Sequence, residues 1–261
     1  MNSSFSADEM MTVAAARMLP DRSVCFVGIG LPSTAANLAR ITHAPDAVLV
    51  YESGPIGAKP SVLPLSIGDG DLAETADTVV STPEIFRYWL QGGRIDVGFL
   101  GAAQIDRFAN INTTVIGPYH KPKIRLPGAG GAPEISSSAK QVLIVVKQSD
   151  RVFVQKVDFI TSVGFLHGGN SRETAGLSGK GPVAVITDLC IMRPDPVSRE
   201  LKVSSIHPGV DRHTIATNTG WPIEFAQNCG QTLAPTMDEL DALRDLKART
   251  AAAHGVQGDA A

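Results

Sequence analysis

The sequence predicts an α/β protein with an open, largely parallel sheet and helices on both faces. Short apolar, β-branched runs alternate with helix-start signals, and glycine-rich turns follow several of the runs. A strand, a helix and a second strand in succession form a crossover, which is nearly always right-handed and joins parallel strands. Because no linker, repeat or low-complexity segment divides the chain, we expect residues 1–261 to form a single domain.

Each element has its own local signal. Apolar runs predict strands at 23–27, 47–51, 95–100, 142–146 and 183–186, and a half-exposed alternating pattern predicts one at 202–206. Capping residues and helix-breaking residues predict four helices. The first extends from Ser6-x-x-Glu9 to Pro20 and the second over 33–40. The third extends from Ser81-x-x-Glu84 to Gly92-Gly93, and the last from Thr236-x-x-Glu239 to about residue 252. Residues 255–261 are expected to be a frayed tail.

Composition excludes several classes of function. The chain is 43% hydrophobic and 19% charged, as in ordinary globular proteins, and its net charge of −3 offers no basic field for nucleic acid. No apolar run is long enough to cross a bilayer, and the N-terminus lacks the features of a secretory signal. The three scattered cysteines (Cys25, Cys190 and Cys229) fit reduced thiols, and we expect Cys190 to be buried and inert. We therefore expect a cytoplasmic protein that binds neither nucleic acid nor membrane.

The tripeptide Glu52-Ser53-Gly54 places an acid where the second predicted strand ends. In a parallel α/β sheet, ligands bind at the carboxyl ends of the strands. A carboxylate at that edge can serve as a nucleophile, a general base or a ribose ligand, or can simply be a loop residue. The tripeptide alone leaves these roles open.

The first glycine turn, Gly28-x-Gly30, lies between a predicted strand and a predicted helix. Such a turn lets backbone N–H groups approach a phosphate or an oxyanion. If the flanking strands are neighbours, roughly 4.8 Å apart, the turn forms a wall beside Glu52 and stabilises it as an anion. Two alternatives are a turn without a ligand and a Rossmann-type nucleotide-binding module. The glycine pattern of dinucleotide-binding Rossmann domains requires a third glycine at position 33. This chain has Ser33 there, preceded by Pro32, which argues against the nucleotide-binding alternative.

A second glycine cluster, Gly128-Ala129-Gly130-Gly131, exposes several N–H groups that can converge on one oxygen, as an oxyanion hole requires. Lys121, Lys123 and Arg125 precede it. These cations can meet phosphates, although each taken singly is better explained as a solvated surface charge. The chain contains no Gly-x-Ser-x-Gly elbow, His-Glu-x-x-His motif or Walker loop, and its six histidines lack metal-ligand spacing, so we expect no metal site.

Four motifs occur together in one order and spacing: Val27–Pro32, Glu52–Gly54, Gly101–Asp106 with Asn110–Asn112, and Gly128–Ala132. Together they resemble the β subunit of the family I CoA-transferases, in the branch of glutaconate CoA-transferase. The stretch from Tyr51 to Asp106 is most similar to the B subunits of 3-oxoadipate CoA-transferases. The similarity extends over about residues 9–253 and implies the CoA-transferase β-subunit fold of the NagB/RpiA/CoA-transferase-like group.

The resemblance implies that Glu52 is a catalytic nucleophile. The family's glutamate attacks the acyl-CoA carbonyl, and the resulting anhydride is converted to a glutamyl-CoA thioester with ping-pong kinetics. Coenzyme A is then a substrate and part of a covalent intermediate, and no cofactor is permanently bound. The implied reaction moves CoA from succinyl-CoA to 3-oxoadipate in aromatic degradation, with glutaconate or another dicarboxylate as an alternative acceptor. An acyl-CoA or carbon–carbon hydrolase on the same fold is a further alternative, although relatives of that kind lack the glutamate.

The resemblance also implies roles for the loops and a partner. Gly130 and Gly131 match the loop that supplies an N–H donor to the tetrahedral intermediates, Gly28 and Gly30 match the turn beside the glutamate, and Asn112 lies near the family's active-site asparagine. The chain carries Ala109 where that loop usually has glycine. An α subunit of similar fold normally completes the CoA channel, so we expect a hetero-oligomer, α2β2 or larger.

Overall fold

The computed structural model describes residues 5–255 and is organised around one ten-stranded sheet. The strands are β1 (Val24–Phe26), β2 (Val48–Val50), β3 (Pro55–Ile56), β4 (Thr78–Val79), β5 (Val97–Leu100), β6 (Gln104–Ile105), β7 (Ile111–Asn112), β8 (Val115–Ile116), β9 (Ile124–Arg125), β10 (Gln141–Val145), β11 (Pro182–Ile186), β12 (Cys190–Pro194), β13 (Leu201–Ile206) and β14 (Glu224–Gln231). The helices are α1 (Ala7–Ala16), α2 (Leu31–Ile41), α3 (Gly70–Glu74), α4 (Thr82–Glu84), α5 (Ala132–Ser138), α6 (Ser171–Thr174), α7 (Arg212–Thr217) and α8 (Met237–His254).

The sheet is parallel at its centre and mixed towards its edges. Its strand order is β14-β13-β12-β11-β10-β5-β1-β2-β3-β4, and the five strands from β11 to β2 run parallel. The prediction of an open, largely parallel sheet is therefore confirmed. The antiparallel neighbours β12, β3 and β4 were not predicted, and two small hairpins, β6–β7 and β8–β9, lie outside the main sheet.

Helices cover both faces of the sheet, as predicted. Buried residues of α1, α2 and α8 form the core on one face, and α5 packs with the helical segment 85–90 on the other. Helix α5 lies so close to β5 that a methyl group on Gly98 would collide with Ile135. This contact fixes the position of the loop that precedes α5.

The predicted helix starts are borne out in part. Ser6 and Thr236 both form complete capping boxes with the glutamates three residues later. Helix α2 begins at Leu31, two residues earlier than predicted, because proline fits the first helical turn. Ser81 makes no side-chain cap, and α4 continues as a π-helix over Ile85–Leu90.

Other predictions concern the chain ends and the cysteines. Residues 256–261 of the expected tail lie outside the described residues, as do residues 1–4. Between residues 5 and 255, no helix is both long and apolar enough to span a membrane. Cys190 is buried, as predicted, and its burial raises the pKa of the thiol to about 12.

A buried histidine joins three strands at one end of the sheet. His207 follows β13, and its Nε2 lies 2.8 Å from the carbonyl oxygen of Thr187, which follows β11. Its Nδ1 lies 3.0 Å from Oγ1 of Thr232, which follows β14. Burial lowers the pKa of His207 below its ordinary value, because the charged imidazolium loses its hydration.

We expect His207 to make stability depend on pH. The unfolded chain takes up a proton at His207 near pH ~6.5, whereas the folded protein does so only at lower pH. The free energy of unfolding should therefore fall as pH decreases from about 6.5 towards the folded-state pKa. Urea unfolding between pH 7 and pH 5 should show a shallower decrease for His207→Gln than for the wild type. The exposed His213→Gln variant serves as the control, and equal slopes in all three proteins would contradict the expectation.

Candidate active site

Glu52 lies in the tight turn between the antiparallel strands β2 and β3. Two hydrogen bonds close the turn, from Tyr51 N to Pro55 O and from Gly54 N to Tyr51 O, each 3.0 Å long. Gly54 has a φ of 122°, and a methyl group at this position would collide with Val80 O. Only glycine fits here, so Gly54 fixes the backbone conformation of the turn that contains Glu52.

The structure brings Glu52 and both glycine loops together in one cleft of about 560 Å³. The cleft lies at the carboxyl ends of β1, β2 and β5, because these strands are parallel neighbours. The residues that line it are Phe26, Val27, Gly28, Ile29, Pro32, Glu52, Ile67, Phe99, Leu100, Gly101, Pro127, Gly128, Ala129, Gly130, Gly131, Ala132 and Ile135. Among these residues, Glu52 alone carries a charge.

The second glycine loop touches the carboxylate directly. A methyl group on Gly131 would lie 2.8 Å from Glu52 Oε2 and 3.0 Å from Phe86 Cζ. Glu52 is half-buried, and within the range 5–255 we find neither a hydrogen bond nor an ion pair to its side chain. The carboxylate is therefore free to react with a molecule that enters the cleft.

The same loop presents unused hydrogen-bond donors. The N–H groups of Ala129, Gly130 and Gly131 donate to no acceptor in the part of the chain that the structure describes. Thr113 holds the start of the loop through two bonds to Gly128: its carbonyl accepts from Gly128 N (2.9 Å), and its hydroxyl donates to Gly128 O (2.7 Å). Free N–H groups on an anchored loop are suited to bind a developing oxyanion.

Of the two glycines in the first glycine turn, one lines the cleft. Gly28 lines the cleft, whereas Gly30 is exposed and does not. Gly30 instead forms the N-cap of α2 with a φ of 82°, a backbone conformation that favours glycine. The start of α2 therefore explains why glycine occupies position 30.

Asn112 lies apart from these residues. Its side chain is fully buried, and its Nδ2 donates to Gln104 Oε1 and to Val115 O, each at 2.7 Å. Its Oδ1 accepts from Thr114 N at 2.9 Å. The resemblance implied that Asn112 lies near the family's active-site asparagine. The structure pairs Asn112 with Gln104 across β6 and β7 and does not place it among the residues that line the cleft, so a role for it in the site stays a prediction.

The neighbouring loop keeps a glycine-like conformation without glycine. Ala109 is buried and has a φ of 57°, in the left-handed region that glycine adopts most easily. Gly164 packs against its backbone so closely that a methyl group there would collide with Phe108 and Ala109. The alanine at this position therefore leaves the loop in the conformation that glycine favours.

Arg172 is a residue that sequence reasoning missed. It is 2% exposed, and its guanidinium donates to the carbonyl oxygens of Gly179 (2.8 Å), Gly164 (2.9 Å) and Ser136 (2.7 Å). Burial lowers its pKa to about 10. Because Ser136 belongs to α5 and Gly131 immediately precedes that helix, Arg172 fixes the helix that holds the glycine loop against Glu52. No local pattern marks this arginine, since its partners are distant in the sequence.

We expect Arg172→Lys to lower the free energy of unfolding by at least about 2 kcal/mol, because several buried carbonyl oxygens lose their donors. Urea unfolding measures the change. Arg151→Lys, at an exposed position, is the matched control and should change stability by less than about 0.5 kcal/mol. An equally small effect at Arg172 would show that its hydrogen bonds do not support the fold.

No group of three His, Cys, Asp or Glu side chains among residues 5–255 is placed to hold a metal ion. The candidate site thus consists of one unpaired carboxylate, a glycine loop with free N–H groups, and an otherwise uncharged cleft. A carboxylate in this setting can attack an electrophilic carbon, and the N–H groups can bind the negative charge that develops on oxygen.

Comparison with known proteins identifies the family. The coenzyme A transferase family matches residues 8–218. The B subunit of the 3-oxoadipate CoA-transferase of Pseudomonas knackmussii is 72% identical over 256 residues, which cover 98% of each chain. The B subunit of the glutaconate CoA-transferase of Acidaminococcus fermentans is 32% identical and covers 85% of each chain. The crystal structure of the glutaconate enzyme aligns with a TM-score of 0.87 at 29% identity, over 93% of this chain and 94% of that chain. The chain therefore belongs to the coenzyme A transferase family.

Proposed function

We propose that this chain is the β subunit of a CoA-transferase that moves CoA from succinyl-CoA to 3-oxoadipate, with Glu52 as the nucleophile. One observation carries the proposal: the Glu52 carboxylate has no partner within residues 5–255 and lies against a loop with free N–H groups. The 72% identity to the B subunit of a 3-oxoadipate CoA-transferase supports 3-oxoadipate as the acceptor. A role in aromatic degradation is part of the same proposal. Glutaconate or another dicarboxylate is the alternative acceptor.

The reaction proceeds by acyl transfer between carboxylates and a thiolate. A Glu52 oxygen attacks the thioester carbon of succinyl-CoA, the carbon–sulfur bond breaks, and a succinyl-glutamyl anhydride forms. The released thiolate attacks the Glu52 carbonyl carbon, which frees succinate and leaves a glutamyl-CoA thioester. A carboxylate of 3-oxoadipate then attacks the carbonyl carbon of this thioester, the carbon–sulfur bond breaks, and a 3-oxoadipyl-glutamyl anhydride and CoA thiolate form. The thiolate attacks the 3-oxoadipyl carbonyl carbon of the anhydride, which breaks its bond to the Glu52 oxygen, releases 3-oxoadipyl-CoA and regenerates Glu52. No step requires a proton transfer, which suits a carboxylate without a neighbouring acid or base.

The glycine loops stabilise the charge that these steps create. Each attack produces a tetrahedral intermediate with a negatively charged oxygen, and we assign the N–H groups of Gly130 and Gly131 to this oxygen. Gly28 forms another part of the cleft lining, where its lack of a side chain leaves room for the thioester. Coenzyme A acts here as a substrate and a transient covalent partner.

An α subunit completes the site in this proposal. A dicarboxylate needs a cation or hydroxyl group for its distal carboxylate, but the described lining residues include no Lys, Arg or His. We therefore assign that group to a partner α subunit in a cytoplasmic hetero-oligomer, α2β2 or larger. The name of the 72% identical relative, which is itself one subunit of an enzyme, supports such an assembly.

The first test concerns Glu52 in the reconstituted α/β enzyme. Glu52→Gln should lower CoA exchange by at least ~10³-fold, because the amide cannot act as the nucleophile. Mass spectrometry of wild-type enzyme mixed with succinyl-CoA should show CoA attached to Glu52, and hydroxylamine should remove it. Glu134→Gln, an acid on α5 outside the cleft, serves as the control.

Four outcomes would contradict the proposal. The first is the absence of a Glu52 adduct in the wild type, and the second is retained exchange in Glu52→Gln. Release of free CoA without an acceptor would instead indicate a hydrolase. Tight NAD binding by the isolated chain would favour a nucleotide-binding module.

A second test concerns the contact between Gly131 and Glu52. The methyl group of Gly131→Ala would displace the carboxylate, since it would lie 2.8 Å from Oε2. Misplacement of a nucleophile is costly, so we expect kcat to fall by about 10²-fold while the thermal unfolding midpoint changes little. Gly70→Ala adds the same methyl group where no atom lies within 4 Å and should keep full activity. Equal activity in both variants would show that the contact is unimportant.

A further inference from the structure

The hairpin of β8 and β9 carries three exposed cations, Lys121, Lys123 and Arg125, which we call the hairpin cations. None of them forms an ion pair with any residue in the range 5–255. The acid beside the hairpin, Asp158, accepts hydrogen bonds from Gly117 N and Gln104 Nε2 instead. Three uncompensated positive charges thus lie close together on a chain whose net charge is negative.

Aromatic contacts hold part of this group in place. The guanidinium carbon of Arg125 lies 5.1 Å from the centroid of the Tyr119 ring, and Arg125 Nη2 donates to Tyr119 O at 3.3 Å. The Tyr119 ring in turn stacks on Phe159, with 5.4 Å between centroids. Since Arg125 is oriented before any ligand arrives, a binding partner loses less side-chain entropy on contact.

The hairpin leads directly into the wall of the cleft. Pro127 and Gly128 line the cleft, and Arg125 is two residues before Pro127. Chain connectivity therefore keeps the Cα atoms of Arg125 and Lys123 within about 7 Å and about 14 Å of the Pro127 Cα. A hydrogen bond from Leu126 N to Thr114 O, 3.1 Å long, holds the connecting segment.

The chemistry of acyl-CoA fits this arrangement. An acyl-CoA carries its thioester at one end and its phosphates at the other, so a thioester at Glu52 places the phosphates outside the reactive part of the cleft. The cleft lining itself offers them no described cation. Lysine and arginine side chains bind phosphate oxygens through charge-assisted hydrogen bonds. We propose that the hairpin cations bind the phosphate groups of the acyl-CoA substrate, an inference that rests on the proposed transferase function.

The test uses the reconstituted α/β enzyme with the double variant Lys121→Gln/Lys123→Gln. We expect KM for succinyl-CoA to rise about tenfold or more, which corresponds to the loss of a charge-assisted hydrogen bond, while kcat and KM for the acid stay unchanged. KM for succinyl-pantetheine, which has the thioester but no phosphates, should not change. Lys180→Gln/Lys247→Gln removes the same charge from exposed positions elsewhere and should leave every constant unchanged.

Other results would overturn the inference. An unchanged KM for succinyl-CoA would show that the hairpin cations do not bind it, and an equal rise for succinyl-pantetheine would show that phosphates are not involved. A rise in KM for the acid alone would assign the cations to the acceptor carboxylate. If the wild type forms the Glu52 adduct and the double variant forms it at the same succinyl-CoA concentration, this inference fails while the proposed function stands.

Discussion

The close approach of Gly131 to the Glu52 carboxylate is the contact on which the candidate site depends. This contact requires glycine at two positions. Gly54 lets the turn that contains Glu52 pack against Val80, and Gly131 leaves room for the carboxylate itself. The loop around Gly131 is held from two directions, by Thr113 at its start and by α5 after it. Small changes in any of these supports would therefore move the N–H donors relative to the Glu52 carboxylate.

The distribution of charge in the cleft is the second property of the candidate site. A single carboxylate lies in a cleft whose other described lining residues are uncharged, so nothing in the described part of this chain neutralises it or supplies it with a proton. Such an acid is suited to nucleophilic attack on a thioester, and poorly suited to general acid catalysis. In our proposal, the positive charge that the anionic substrates require lies on the β8–β9 hairpin and on a partner α subunit.

Much of the fold was predictable from local patterns. The buried central strands, both complete capping boxes and the proximity of the first glycine turn to Glu52 follow from apolar runs, cap residues and the geometry of parallel strands. The place of the second glycine loop beside Glu52 was implied only by the resemblance to the family. The return strand β3 and the π-helical turn after α4 were not predictable, because β3 comprises only two residues and the π-helical segment has no distinct sequence signal. Asn112 belongs to a motif that the sequence analysis recognised, but nothing in the sequence indicated that its amide would be buried in the protein.

By itself, the sequence determined the central strands, the capped starts of α1 and α8, and the position of Glu52 at the end of β2. These properties depend on residues close together in the chain. Only the tertiary structure decided that Arg172 is buried against α5 and that Asn112 hydrogen-bonds to Gln104 across the β6–β7 hairpin. It also decided that the N–H groups of Gly130 and Gly131 have no acceptor within residues 5–255. Each of these outcomes depends on which distant residues supply or withhold a hydrogen-bond partner, and only the packed fold brings those residues together.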